Sequence, residues 1–292
     1  MELGSLSVIV GKNRRATACN LRCPFCISKQ TQEVGLSSSP PEELLPIKRI
    51  AFLAEMAKPL FKGFRYGIIT GKGEPTMAPE SRMIDIIDVL YDGGSGYIPE
   101  LQTNGTLLTV ARMKDWHARG LNTVALSCVS HRDEVNSRML SDDRVTWELG
   151  NLVREARDCG LLVRLTVIVT KGGVDNLEAF LAFAEWAKDA GAHQLTFRRM
   201  GEPRDLRRPG SQVVADWIRE HSIEPGFIID YLRQYGREKD PLPWAQWFTF
   251  EGMSVVVTDH MNAPKDGVAR HAVIQPDGHL YSSWDDTGDI LA

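Results

Sequence analysis

Residues 121–170 read LNTVALSCVSHRDEVNSRMLSDDRVTWELGNLVREARDCGLLVRLTVIVT. Two short runs, 123–129 and 163–170, are rich in β-branched residues and alternate in polarity, the pattern of strands. Between them, 146–159 carries apolar residues at helical spacing and stops at Gly160, where glycine suits the left-handed residue that closes a helix. Strand, helix and strand in that order make a βαβ unit with parallel strands. In the later strand Leu165, Val167 and Val169 share one face, and Arg164, Thr166 and Thr170 share the other. The earlier strand sets Val124, Leu126 and Cys128 against Thr123, Ala125 and Ser127. Helices on the apolar faces would leave the polar faces lining a cavity.

Outward from this unit the same alternation runs from residue 6 to residue 199. Further strands are expected at 6–10, 64–70, 98–103 and 194–199, and further helices at 42–57, 81–91, 109–119 and 176–190. This is an α/β pattern with a parallel sheet, either open and doubly wound or curled into a full or partial barrel. Ligands then belong at the C-terminal ends of the strands. Polar inner faces fit a partial barrel around a buried polar ligand. After Arg199 a charged, Pro-rich connection, 201–210, leads to helical pieces around 213–219 and 226–235. Strands follow at 253–258 and 270–274, with a hairpin over 272–282 turning at Pro276-Asp277-Gly278. The expected division is a core over 1–200 and a C-terminal α+β extension over 201–292 that closes the barrel mouth. Residues 37–41 form only a short linker.

The chain has 292 residues, 43% hydrophobic and 25% charged, which excludes disordered, collagenous and disulfide-scaffold classes. A net charge of −4 supplies no basic field for a phosphate backbone, so nucleic acid is not an expected partner. The apolar run 6–10 precedes Lys12, Arg14 and Arg15, the reverse of a secretory signal. The most apolar stretch, 161–170, is interrupted by Arg164 and falls short of the roughly 20 residues that span a bilayer. A cytoplasmic location without membrane attachment is expected.

Five cysteines occur, and three of them, Cys19, Cys23 and Cys26, stand at CxxxCxxC spacing in CNLRCPFC, after the first strand. Such a crowd reads as a metal site more readily than as a disulfide framework. Structural zinc asks for four ligands, and neither Cys128 nor Cys159 has a Cys or His at zinc-finger spacing. Three thiolates can hold an iron–sulfur cubane and leave one iron open. Iron–sulfur, zinc and incidental clustering all remain readings of these residues alone.

The segment Cys19 to Cys26, with Phe25 before the last cysteine, resembles the cluster-binding signature of the radical S-adenosylmethionine (SAM) enzymes. Thr70-Gly71-Lys72-Gly73-Glu74-Pro75 is similar to the family's Gly-Gly-Glu-Pro segment, whose backbone and glutamate hold the SAM amino group; Lys72 replaces the first glycine. Thr103-Asn104-Gly105 is similar to its Thr-Asn-Gly segment, and Ser127 matches a serine that contacts the SAM methionine carboxylate or ribose. Residues 127–135 and 166–176 further resemble the branch containing the GTP 3′,8-cyclase of molybdenum cofactor biosynthesis. That cyclase has a C-terminal cysteine triad, whereas no cysteine follows Cys159, and Val129 replaces a usual aspartate, so GTP is not carried over.

The resemblance implies a partial (β/α)6 barrel, one 4Fe–4S cluster on Cys19, Cys23 and Cys26, and SAM bound by Phe25, Lys72, Gly73, Glu74, Thr103, Asn104, Ser127 and Arg164. It implies reductive cleavage of SAM to a 5′-deoxyadenosyl radical, with a reductant such as flavodoxin or ferredoxin as partner. The expected substrate is a small polar biosynthetic molecule, nucleotide- or sugar-derived. Modification of a peptide side chain and a non-catalytic iron–sulfur module are the alternatives.

Other residues carry paired readings. Arg164 would meet the SAM carboxylate or an ion-pair partner in the barrel wall. Lys171 and Arg198, ending their strands, would meet an anionic substrate or stand as rim charges. Cys128 would donate hydrogen to a substrate radical or pack as a small hydrophobe, the use expected of Cys159. His131 would move protons or sit on a surface loop. Arg198, Arg199, Arg204, Arg207 and Arg208 would bind phosphate or carboxylate or form a solvated connection. Trp244, Trp247, Tyr281 and Trp284 would form a flap, a substrate wall or ordinary core.

Overall fold

Alternating strand faces and capped helices build an open α/β partial barrel in the computed structural model. It describes residues 3–11, 19–26, 44–61, 65–94, 96–141, 143–203, 206–207, 210–240, 245–258, 269–282, 284 and 290–292. Lys12, Arg14, Arg15, the linker 37–41, the helix start at 42, the strand start at 64, Arg204, Arg208 and Trp244 lie outside the described residues.

Six strands, β1 (Leu3–Ile9), β2 (Tyr66–Thr70), β3 (Ile98–Thr103), β4 (Thr123–Cys128), β5 (Leu162–Ile168) and β6 (Gln194–Arg198), pair in parallel in chain order. The chain after residue 200 adds β7 (Arg237–Glu238), β8 (Gln246–Phe250), β9 (Met253–Thr258), β10 (Ala269–Ile274) and β11 (Leu280–Tyr281). The sheet runs β11-β10-β1-β2-β3-β4-β5-β6-β9-β8-β7, with short strands at both edges. Thus β9 extends the sheet in parallel beyond β6, and β10 does so beyond β1. The expected β10–β11 hairpin is present and turns at Gly278, whose φ of 87° suits glycine.

The helices are α1 (Ile47–Ala57), α2 (Glu80–Tyr91), α3 (Val110–Ala118), α4 (Asp133–Ser141), α5 (Leu149–Asp158), α6 (Leu177–Ala190), α7 (Ser211–His221) and α8 (Gly226–Tyr235). Helix α6 is capped at both ends: Asn176 accepts the Ala179 N–H at its start, and Gly191 closes it with a φ of 91°. Helix α1 starts at Ile47, five residues later than expected from 42, with Pro46 as its cap. Helix α4 was not legible from apolar spacing; its anchor is polar. Asn136, fully buried, accepts the N–H groups of Val129 and Ser130 and donates to the Ser130 carbonyl, closing the end of β4.

The expected strand faces hold. Leu165, Val167, Val124, Leu126, Leu195 and Phe197 join one hydrophobic cluster with Phe180 and Phe183 of α6, and the Phe180 ring lies 5.3 Å from that of Phe197. On the other face, Ser127, Thr166, Ile168 and Arg198 line a cavity.

Candidate active site

The cavity, of about 260 Å³, sits where the parallel strands end: Thr70, Thr103, Ile168 and Arg198 are the last residues of β2, β3, β5 and β6, and all four line it. Parallel sheets put every strand's C-terminal end on one side, so one opening collects residues far apart in sequence. Cys19, Cys23 and Cys26 border the same cavity.

The cysteine loop is held at several points. Leu21 is buried in the core. The Arg22 N–H donates to the Leu140 carbonyl at 2.8 Å, and the Cys26 N–H donates to the Cys23 carbonyl at 3.3 Å, closing a turn. Phe25 packs 5.6 Å from Trp217, beside the small cluster of Met200, Val214 and Ile218.

Glu74, 6% exposed, borders the same cavity. Its Oε1 accepts from the Thr76 N–H at 3.1 Å, the Thr76 hydroxyl at 2.6 Å and the Thr103 hydroxyl at 2.5 Å, and its Oε2 accepts from the Asn104 N–H at 2.8 Å. A buried carboxylate needs such donors to offset desolvation. Pro75 opens the 3-10 turn that Glu74 caps. The Thr103 hydroxyl also accepts the Gly105 N–H at 3.0 Å. Gly105 has a φ of 80°, the left-handed conformation that favours glycine, and a Cβ there would press on the Leu152 side chain.

Of the residues singled out in the sequence, Phe25, Gly73, Glu74, Thr103, Asn104, Ser127, Arg198 and Cys128 border the cavity. Cys128 is also in the core at 1% exposure, and burial pushes its thiol pKa well above the ordinary value. Lys72, Arg164, Lys171 and His131 are not among the described lining residues. Arg164 pairs with Glu100 on the inner face of the sheet. His131 lies against α6, its ring 6.2 Å from Phe183 and 6.1 Å from Trp186, and burial lowers its pKa. Lys171 is exposed, its N–H donating to the His221 carbonyl. Of the tail aromatics, Trp284 borders the cavity, whereas Trp247 donates to Ser254 Oγ at 2.9 Å and Tyr281 to Asp277 at 2.6 Å. Arg199, read from the sequence as an anion-binding candidate or part of a solvated connection, also borders the cavity; Asn20, Thr76, Gln102, Thr106 and Met200 join or support the site without having been legible as site residues, and strand register alone could have indicated Gln102.

Three thiols bordering one cavity are a donor set suited to an iron–sulfur cluster, and the buried carboxylate that borders it too suits an ammonium group. Among the described residues no three Cys, His, Asp or Glu side chains are gathered at metal-site spacing. The fit is therefore one of donor chemistry and shared cavity.

A family model described as the Radical SAM superfamily matches residues 14–197. Among solved structures, SuiB of Streptococcus suis bound to S-adenosylmethionine aligns with a TM-score of 0.59 at 14% identity, over 99% of this chain and 63% of that one. SuiB bound to its precursor peptide SuiA gives 0.54 at 14%, over 97% and 60%. Native anSMEcpe with bound AdoMet and Cp18Cys peptide gives 0.59 at 13%, over 97% and 74%. The chain spans less than two thirds of the length of SuiB, and at such identities the likeness is one of fold.

Proposed function

We propose that this chain, which belongs to the radical SAM superfamily, uses a single cluster on Cys19, Cys23 and Cys26 to take hydrogen from a small polar, anionic substrate. It is an enzyme, and its cofactors are the superfamily's 4Fe–4S cluster and S-adenosylmethionine. When bound, these supply one-electron cleavage of SAM and, through it, hydrogen abstraction from an unactivated carbon.

The observation that carries this reading is the single cavity shared by the three thiols and the buried carboxylate of Glu74. Glu74 is fixed before any ligand arrives, and its Oε2, which takes the Asn104 N–H, keeps lone-pair capacity for an ammonium donor. Thr103 holds both Glu74 and Gly105, so the end of β3 and the loop after β2 move as one. Gly73, Asn104 and Ser127 would complete the SAM contacts from the cavity wall, with Lys72 beside them in sequence. The pairing with Glu100 supports the wall reading of Arg164. Phe25, Leu21, Met200 and Trp284 give the cavity an apolar lining that would exclude water from reactive species.

An anionic substrate is supported by Arg198 and Arg199, both on the cavity wall; Arg199 also pairs with Glu224 at 2.7 Å. Within that class, a nucleotide- or sugar-derived molecule is the proposed substrate. Burial of Cys128 and the packing of His131 support structural roles for both, and the exposure of Lys171 supports a rim charge. A flavodoxin or ferredoxin in the cytoplasm would supply the electron; no helix among the described residues is long and apolar enough to cross a membrane. Peptide modification is the second reading, prompted by chains of like fold recorded with peptides.

The test is anaerobic. Protein reconstituted with iron and sulfide is given SAM and dithionite, and 5′-deoxyadenosine is quantified beside a Cys26→Ala control. The expected result is product from the intact triad alone. Deuterium transfer into 5′-deoxyadenosine from labelled phosphorylated or carboxylated metabolites, against labelled peptides, then separates the two substrate readings. A fully loaded protein that binds SAM and never forms product would overturn the proposal.

A further inference from the structure

We propose that Asn20 is a positioning residue that fixes the cysteine loop against the Glu74 carboxylate, through a closed ring of side-chain hydrogen bonds with Thr106 and Asn104. The inference rests on the cofactor reading above. Asn20 Nδ2 donates to Thr106 Oγ1 at 2.7 Å, Thr106 Oγ1 donates to Asn104 Oδ1 at 2.7 Å, and Asn104 Nδ2 donates to Asn20 Oδ1 at 2.9 Å.

The direction of the ring is fixed by the backbone. The Thr106 N–H donates to Asn104 Oδ1 at 3.0 Å, so that atom must be the oxygen and its partner on the same amide the donor. Asn20 must then turn its oxygen to Asn104 and its NH₂ to Thr106. Every member donates once and accepts once around the ring, the arrangement in which hydrogen bonds polarise one another.

Asn20 follows Cys19 directly, and its ring partners lie 84 and 86 residues away. Asn104 is the hinge of the arrangement: its side chain holds Asn20 while its backbone N–H holds Glu74 Oε2 at 2.8 Å. A displacement of the cysteine loop is thereby transmitted to the carboxylate, so the residues that would hold the cluster and those that would hold the SAM ammonium are joined by one hydrogen-bond network. Ordinary loop stitching would affect folding alone; a positioning role affects how SAM meets the cluster.

The experiment uses the full chain, reconstituted anaerobically, with iron and sulfide content, apo-protein melting and the SAM-dependent change in the EPR spectrum of the reduced cluster as readouts. Asn20→Ala and Thr106→Val are expected to load iron as the parent does yet to need about tenfold more SAM for the half-maximal spectral change. Thr106→Ser, which keeps the hydroxyl, should titrate like the parent. The double variant should be no worse than either single, as for residues acting as one unit. Should Asn20→Ala fail to fold or load, Thr106→Val, outside the cysteine loop, decides by the same titration. Parent-like SAM titration in Asn20→Ala, or in Thr106→Val where that variant decides, overturns the proposal, as does an additive double variant. A loaded parent without any SAM response overturns the cofactor reading itself, and this inference with it.

Discussion

Glu74 illustrates at the residue scale how a binding group is prepared by its neighbours. Two backbone N–H groups, of Thr76 and Asn104, approach its two oxygens from opposite sides. A hydroxyl can rotate to accept instead of donate, but an N–H cannot. Glu74→Gln therefore sets an NH₂ against one of these N–H groups whichever way the amide turns. The expected cost is about 1–3 kcal/mol of stability, the penalty for a buried donor left without an acceptor. Urea unfolding would measure it, and calorimetry should show SAM affinity falling with the lost charge. Glu74, Thr103 and Asn104 were legible because their segments, 70–75 and 103–105, resemble segments of the radical SAM enzymes. Asn20 and Thr106 were not legible, because a loop asparagine or threonine ordinarily serves its own turn, whereas Asn20 bonds residues 84 and 86 positions away.

Among the elements, the junction of β5 and β6 depends on one histidine. The His193 N–H donates to the Val163 carbonyl at 2.9 Å, and the Val163 N–H returns to His193 Nδ1 at 3.0 Å. The second bond needs a lone pair on Nδ1, so the imidazole must stay neutral. Burial, and then the nearby Arg157, lower its pKa below the ordinary value of about 6.5. The unfolded chain thus takes up the proton at higher pH than the folded one. The resulting stability is full above about pH 6.5 and is lost as pH falls through the lowered value. The urea midpoint should drop between about pH 7.5 and 5.5, and drop less in His193→Asn, which cannot titrate; His131, also lowered by burial, acts in the same direction. Strands β4 to β6 were legible because each alternates between a helix-facing apolar side and a polar side, and β1 to β3 because short apolar or β-rich runs precede turn residues. Helix α4 was not, since its buried face includes Asn136 beside Val135 and Leu140, and β8 was not, since its aromatic Trp247, Phe248 and Phe250 suggest packing before pairing.

Across the whole molecule, the tail and the core share one sheet and one hydrophobic cluster. Strand β9 covers the edge of β6 and β10 covers the edge of β1, so residues 1–200 alone would present two open edges of parallel sheet. Together with β8 and β11, these strands bury Val255, Val257, Phe248, Ile274 and Leu280 in the cluster that holds Leu195, Phe197, Leu6 and Val8. At roughly 1.5–3 kcal/mol for each buried side chain, these five contribute on the order of the entire net stability of a typical domain, about 5–15 kcal/mol. A chain ending after Met200 is therefore expected to be insoluble or molten, even though it contains the cysteines, Glu74, Thr103 and Ser127. Size-exclusion chromatography and near-ultraviolet circular dichroism of the truncated chain would check this. A soluble monomer with native aromatic signals would show instead that the first six strands are self-sufficient, and that the tail's contribution lies in Trp284 at the cavity wall and not in the fold.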